Sequence, residues 1–161
     1  LKSVPGRWQL VWNRDDIRAI VDFAHTPDAL ERLLRTARDL TDGQIICMFG
    51  CGGQRDTDKR FKMGEIAGRY SDYVIVTSDN PRGEDPEDIT ARIEEGVYST
   101  GAAYSVIPDR KKAIRKAAVL ARKNTLIIVA GKGHEKYQII GDKKLPFDDA
   151  RILKEFLEEK N

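Results

Sequence analysis

The chain has 161 residues, 40% hydrophobic and 34% charged, which argues for one globular domain with its own core and against disorder. A net charge of +2 is too small to argue for a nucleic-acid partner, and the apolar runs are far shorter than a membrane span. The start carries no signal-peptide pattern, and because it begins with Leu1 rather than Met the expectation is an excised piece of a longer protein. Two cysteines, Cys47 and Cys51, make no disulfide framework, and Cys47 within "QIICMFG" reads as a small buried apolar residue. The sharper reading is zinc, with His25 and His134 completing the ligands, but the spacing fits no zinc pattern. Absence of obvious pairing suits a reducing compartment.

In chain order, "RWQLVWNRDDIRAIV" (7–21) reads as a hairpin whose second arm continues as the strand "RAIVDFA" (18–24). Thr26-Pro27 reads as the cap and first position of a helix. Leu30, Leu33, Leu34, Ala37 and Leu40 line its apolar face, with Gly43 as its stop. "QIICMF" (44–49) is a short β-branched apolar run, hence a buried strand. A helix over 59–70 buries Met63, Ile66, Ala67 and Tyr70, and "DYVIVTS" (72–78) is the next strand.

Asp85-Pro86 opens a helix with Ile89, Ile93 and Val97 inward, followed by the strand "AAYSVI" (102–107). Asp109 opens another, with Ile114, Ala117 and Leu120 inward. Its basic run Arg110, Lys111, Lys112, Arg115 and Lys116 reads as a solvated face. "NTLIIVAG" (124–131) is a strand, "YQIIGDKKLPF" (137–147) a second hairpin, and Ile152, Leu153, Phe156 and Leu157 mark the last helix. Strand and helix alternate, so the expected fold is α/β: a doubly wound, mainly parallel sheet with an added antiparallel strand or hairpin.

Ligands in open α/β sheets bind outside the carboxyl ends of the strands. That rule selects "HTPD" (25–28), "GCGGQRDTDKR" (50–60), "SDNPRGED" (78–85) and "GKGHEKYQ" (131–138). "GCGGQRD" is either a phosphate-binding turn or a plain tight strand-to-helix turn. Neither it nor "GKGH" ends in GK[ST] or fits GxGxxG, so no complete triphosphate cradle is present, and a nicotinamide oxidoreductase finds no fingerprint. His25 reads equally as a turn cap.

Taken together, "VPGR", "VDFAHTPDALE", "FGCGGQRDTDKR", "VIVTSDNPRGEDP" and "AGKGHEKYQ", in that order, resemble the C-terminal domain of the Mur ligase family, in its diaminopimelate-adding branch. Gln54 and Phe23 depart from the family's commoner Asp and Tyr. The resemblance implies that residues 1–16 lead in from a central ATPase domain and 17–161 form the amino-acid-binding domain of a bacterial cytoplasmic enzyme of peptidoglycan synthesis. It implies an ATP-dependent amide ligase acting through an acyl phosphate. ATP and Mg2+ would be held mainly by the central domain, which carries the Walker-type loop, the metal ligands and a carbamylated lysine.

By the same resemblance, Arg55, Asp79, Asn80, Pro81, Arg82, Gly131 and Glu135 surround meso-2,6-diaminopimelate. Arg7, Asp22 and His25 reach ATP, and no catalytic or metal residue is assigned to this stretch. The UDP-N-acetylmuramoyl dipeptide is the other substrate, the chain's own central domain its partner. Nucleic acid and membrane are not expected, and the chain alone is expected to be inactive. The residue chemistry agrees with a zwitterionic ligand: arginine grips a carboxylate bidentately, and Asp79 and Glu135 can accept from an ammonium. The alternatives are a stand-alone nucleotide-binding regulatory module, or another Mur or folylpolyglutamate-type ligase domain.

Overall fold

The computed structural model describes residues 7–160. Of the first motif, "VPG" at 4–6 lies outside the described residues, and only Arg7 falls within them. The elements are β1 (Gln9–Arg14), β2 (Ile17–Asp22), α1 (Pro27–Leu40), β3 (Gln44–Phe49), α2 (Asp58–Tyr70), β4 (Tyr73–Val76) and α3 (Pro86–Tyr98). They continue as β5 (Ala103–Val106), α4 (Arg110–Leu120), β6 (Thr125–Ala130), β7 (Tyr137–Ile140), β8 (Lys143–Pro146) and α5 (Asp149–Glu159).

Six strands form one sheet in the order β1-β2-β6-β3-β4-β5, and β7-β8 form a separate antiparallel pair. β2, β6, β3, β4 and β5 run parallel, and β1 is antiparallel to β2 on the edge. The expected α/β architecture with an antiparallel addition is thus the observed one. The first hairpin closes through Asp15 and Asp16, both left-handed (φ 57° and 59°), the turn whose twist matches the strands it joins.

Both sheet faces are covered, so the central strands alternate between two cores. Ile45, Cys47 and Phe49 of β3, with Leu126 and Ile128 of β6, pack against α1, α2 and α3. Ile46 and Met48, with Ile127 and Val129, pack against α4 and α5. This is the period-two alternation of a strand, apolar on both sides because neither face meets water.

The helix starts follow their caps. Thr26 accepts from the Ala29 N–H at 3.2 Å, Asp85 from Glu87 at 2.9 Å and Asp109 from Lys112 at 3.0 Å.

Three expectations need correction. Leu40 is 52% exposed and lies off the buried face of α1. Gly43 does not stop that helix, which ends at Leu40 with an extended Thr41. It is needed because a Cβ there would lie 2.0 Å from the Asn124 carbonyl oxygen, in the lead-in to the neighbouring strand β6. Arg110 does not belong to a solvated face. It is fully buried and paired with Asp149, while Lys111, Lys112 and Arg115 are exposed.

Candidate functional site

β2, β6, β3 and β4 are consecutive in the sheet and parallel, so the loops leaving their carboxyl ends share one edge. These are the four loops that sequence pattern selects, and the structure brings them into contact.

The loop after β4 carries Asp79 to Arg82. Asn80 and Pro81 are buried, Asp79 and Arg82 half-buried. Its backbone is fixed from two directions. From the glycine loop after β3, the Gly53 N–H donates to the Asn80 carbonyl at 2.8 Å. Gly53 has no room for a side chain, since a Cβ would lie 1.8 Å from the Pro81 carbonyl oxygen. From the β7–β8 hairpin, the Ile139 carbonyl accepts from the Arg82 N–H at 3.0 Å, and the Gly141 N–H donates to the Arg82 carbonyl at 2.6 Å. These two bonds hold Arg82 in a left-handed conformation (φ 53°) that a non-glycine residue rarely keeps without a reason.

The Arg82 guanidinium is aimed by carbonyls. Its Nη1 donates to Gly53 O at 3.0 Å and reaches Asn80 O at 3.4 Å. Arg55 lies across Gly52: a Cβ on Gly52 would sit 3.0 Å from Arg82 Nη1 and 3.5 Å from Arg55 Cγ. Among the described residues neither arginine has an acid within ion-pair distance. Arg55 is exposed and its Nη1 donates to the Gln54 carbonyl at 3.3 Å; two arginines on either side of Gly52, without an ion pair among the described residues, can supply charge to an anion. The far end of the loop is clamped by Glu84, which takes a bidentate pair from Arg60 at 2.7 and 2.9 Å and the Gln54 N–H at 3.0 Å. Those bonds, Arg60's first, hold the Glu84 carboxyl down at about 2.

The loop after β6 brings Gly131 and Glu135 to the same place. Gly131 (φ 117°) leaves Asp79 Oδ2 unobstructed, 3.9 Å from where its Cβ would be. Sequence reasoning missed Lys132, whose side chain is wholly buried. Its Nζ lies 2.6 Å from Asn80 Oδ1, 3.1 Å from Asp79 Oδ1 and 3.8 Å from Glu135 Oε1. Desolvation pushes its pKa below the ordinary lysine value, with Asp79 opposing. The sequence signal was available: a lysine between two glycines at the end of a fully buried strand has little solvent to reach.

Gln138 was missed too; its amide donates to the Asp79 carbonyl at 2.7 Å. Beneath the loop, Arg110 grips Asp149 with two bonds (2.8 and 2.7 Å) and donates to the Ser78 carbonyl at 2.8 Å.

Arg7, Asp22 and His25 meet at a second place, the end of β2. They line a concavity of about 440 Å³ with Trp8, Phe23 and Arg32. Asp22 is half-buried and accepts from the Trp8 N–H at 2.7 Å and the Ala24 N–H at 2.8 Å. His25 bonds the Phe23 carbonyl through Nδ1 at 2.8 Å, so that nitrogen carries the proton and Nε2 stays free for a partner. Phe23 packs near both the His25 and His134 rings, centroids 4.7 and 5.9 Å away. A larger hollow of about 670 Å³ lies between α2 and α3 and holds none of the candidate residues. Position at the strands' carboxyl ends outweighs size. Cys47 and Cys51 are buried free thiols, pushed up to about 12 by desolvation.

Comparison with known proteins bears on this edge directly. The model of the Mur ligase, glutamate ligase domain matches residues 6–133. The chain belongs to the Mur ligase family. A UDP-N-acetylmuramoyl-L-alanyl-D-glutamate--2,6-diaminopimelate ligase of Syntrophomonas wolfei subsp. wolfei is 50% identical over 161 residues, 99% of this chain and 33% of that protein. The enzyme of the same name from Clostridioides difficile is 50% identical over 155 residues, 96% of this chain and 32% of that protein. A solved structure of a ligase so named superposes with a TM-score of 0.91 at 40% identity, covering 99% of this chain and 33% of that one. The UDP-N-acetylmuramate-alanine ligase of Thermotoga maritima shares the fold, with a TM-score of 0.64 at 19% identity. The chain therefore spans about one third of the length of the curated relatives it matches.

Proposed function

We propose that the chain is the amino-acid-binding domain of an ATP-dependent ligase that adds meso-2,6-diaminopimelate to UDP-N-acetylmuramoyl-L-alanyl-D-glutamate in the bacterial cytoplasm. The observation that carries this reading is the Arg82 guanidinium, aimed by two carbonyls, beside Arg55 and with no acid at ion-pair distance among the described residues. The diaminopimelate-adding relatives supply the substrate. Its two ends are amino-acid centres, and a site with two free arginines and two half-buried acids, Asp79 and Glu135, offers complementary charge to one of them. Lysine lacks the distal carboxylate and would leave that arginine pair without a partner.

In this reading the D-glutamate side-chain carboxylate attacks the γ-phosphorus of ATP and ADP leaves. The free amine then attacks the acyl carbon, releases phosphate and loses a proton. The chain's own part is to bind and orient the amine, where positioning supplies much of the rate. The β2 end suits the nucleotide. Asp22 has spent two of its four acceptor sites on backbone N–H groups and keeps two for hydroxyls, and Arg7 stands exposed beside it. The phosphate cradle and Mg2+ belong to the central domain of the family, so the 161-residue chain alone binds without turning over.

The test is Arg82→Ala in the full-length enzyme. Removing one partner of a desolvated charge pair costs about 2–5 kcal/mol. At ~1.4 kcal/mol per decade, kcat/KM for diaminopimelate should fall about thirty-fold to a few thousand-fold. The KM values for ATP and the dipeptide should hardly move, and the preference for diaminopimelate over lysine should collapse. Arg82→Lys should recover only part, because an ammonium has no bidentate fork. Equal losses for both amino acids would reduce Arg82 to a loop brace and sink the reading.

A further inference from the structure

Lys132 stands at the centre of the recognition site yet cannot meet bulk water, its side chain being 0% exposed. An ammonium is a donor only, so the Asn80 amide must turn its oxygen inward to face it. That same oxygen accepts from the Ile139 N–H at 3.0 Å. Both of its acceptor sites are thereby used, and Asn80 is left with its NH2 group to offer outward. Asp79 is drawn to the same ammonium through Oδ1, at ion-pair distance (3.1 Å) but without hydrogen-bond geometry, and its Oδ2 lies on the Gly131 side. Glu135, three residues along, is steered by the same charge.

Resting on the function proposed above, we propose that Lys132 is a positioning residue for amino-acid recognition. From behind the loops it fixes the Asn80 amide as a donor and sets the Asp79 and Glu135 carboxylates facing the ligand. Its charge joins two loops more than fifty residues apart in sequence, and the β7–β8 hairpin enters the network through Ile139. The Asn80 NH2 therefore addresses a carboxylate of the bound amino acid, and the Asp79 oxygen an ammonium.

Two measurements on Lys132→Met separate this from general stabilisation, with Ile152→Ala, a core truncation on the buried face of α5, as the control matched for loss of Tm. In the 161-residue chain without ligand, amide exchange followed by mass spectrometry should quicken over 79–82 and 137–141 while β3 and β6 stay protected. In the full-length enzyme, the KM for diaminopimelate should rise about tenfold or more. The KM for ATP and dipeptide should stay within about twofold, a split that Ile152→Ala should not give. Unchanged exchange in both segments would overturn the proposal, as would a uniform rise of all three KM values. If the wild-type enzyme fails to use diaminopimelate, the substrate assignment falls and the ligand-free exchange result alone decides the role of Lys132.

Discussion

On the β4 side of the sheet edge, Asp79, Asn80 and Arg82 are tied from every direction. The glycine loop holds them through Gly53, the hairpin through Ile139 and Gly141, and Lys132 holds them from below. On the β2 side, Asp22 is anchored by two N–H groups, but His25 and Arg32 stand exposed around an open concavity. Under the proposed function, the difference follows from what each place would have to do. Telling one amino acid from another requires donors and acceptors already fixed before the ligand arrives, since a loose site spends binding free energy on ordering itself. A surface meant to meet a nucleotide along with other protein needs one anchored carboxylate and room.

The comparison breaks most completely at Arg110. Its pair of hydrogen bonds to Asp149 lies under the β4 loop, and its third donor holds the Ser78 carbonyl one residue before Asp79. Arg110→Met leaves a fully buried carboxylate without a partner, at a cost of about 3–5 kcal/mol. At ~2–4 °C per kcal/mol for a chain of this size, Tm should fall by roughly 6–20 °C. The double variant Arg110→Met, Asp149→Leu should recover much of that loss, because two apolar side chains carry no desolvation cost. A double variant no more stable than the single one would show that the Ser78 contact, not the ion pair, is what matters.

Arg110 also shows where one-dimensional pattern stops being informative. Strand β3 is legible to the residue, since Gln44 followed by five apolar residues between turn formers admits little else. The caps Thr26, Asp85 and Asp109 are legible for the same local reason. The two hairpins announce themselves through Asp15-Asp16 and Gly141-Asp142. Arg110 sits among four basic neighbours, and its acid lies 39 residues away on another helix, so periodicity alone gives it to solvent. A clue existed: a cation in the first turn of a helix opposes the helix dipole and invites a search for a compensating acid. Lys132 is hidden for a similar reason, its partner Asn80 being 52 residues away. Candidate binding residues are legible as motifs; the charges that hold them from behind are not.

On the β2 side the sharpest probe is Asp22→Ala. It strands the Trp8 and Ala24 N–H groups, at about 1–3 kcal/mol for the lost acceptor. Because the two sides are anchored separately, the damage should stay local. Amide exchange should quicken at 8 and 24 and remain unchanged over 79–82. Spread into the recognition loop would mean that the two sides are one cooperative unit, and the contrast drawn above would fail.

The smallest effect lies at the far end of the recognition loop, where Glu84 receives Arg60 and the Gln54 N–H. Its carboxyl is held at about 2, below its ordinary 4.5. A group whose folded pKa is depressed adds stability that is fully present above the ordinary value and lost as pH falls through the folded one. With the Glu84 side chain 27% exposed, solvent screening keeps that contribution modest. Thermal melts of the wild-type chain and Glu84→Gln should therefore differ by a constant few degrees at most above pH 5. The gap should narrow from about pH 4.5 downward and nearly close by pH 2, where the wild-type carboxyl is itself becoming neutral. Arg60 keeps a bond to the Gly52 carbonyl at 3.1 Å in either protein, so the glycine loop should stay in place while the clamp on the recognition loop is released. Amide exchange at Gln54 and Glu84 under the same conditions would locate the change. Melting curves that stay parallel down to pH 2 would mean that the Arg60–Glu84 pair does not hold this loop through its charge.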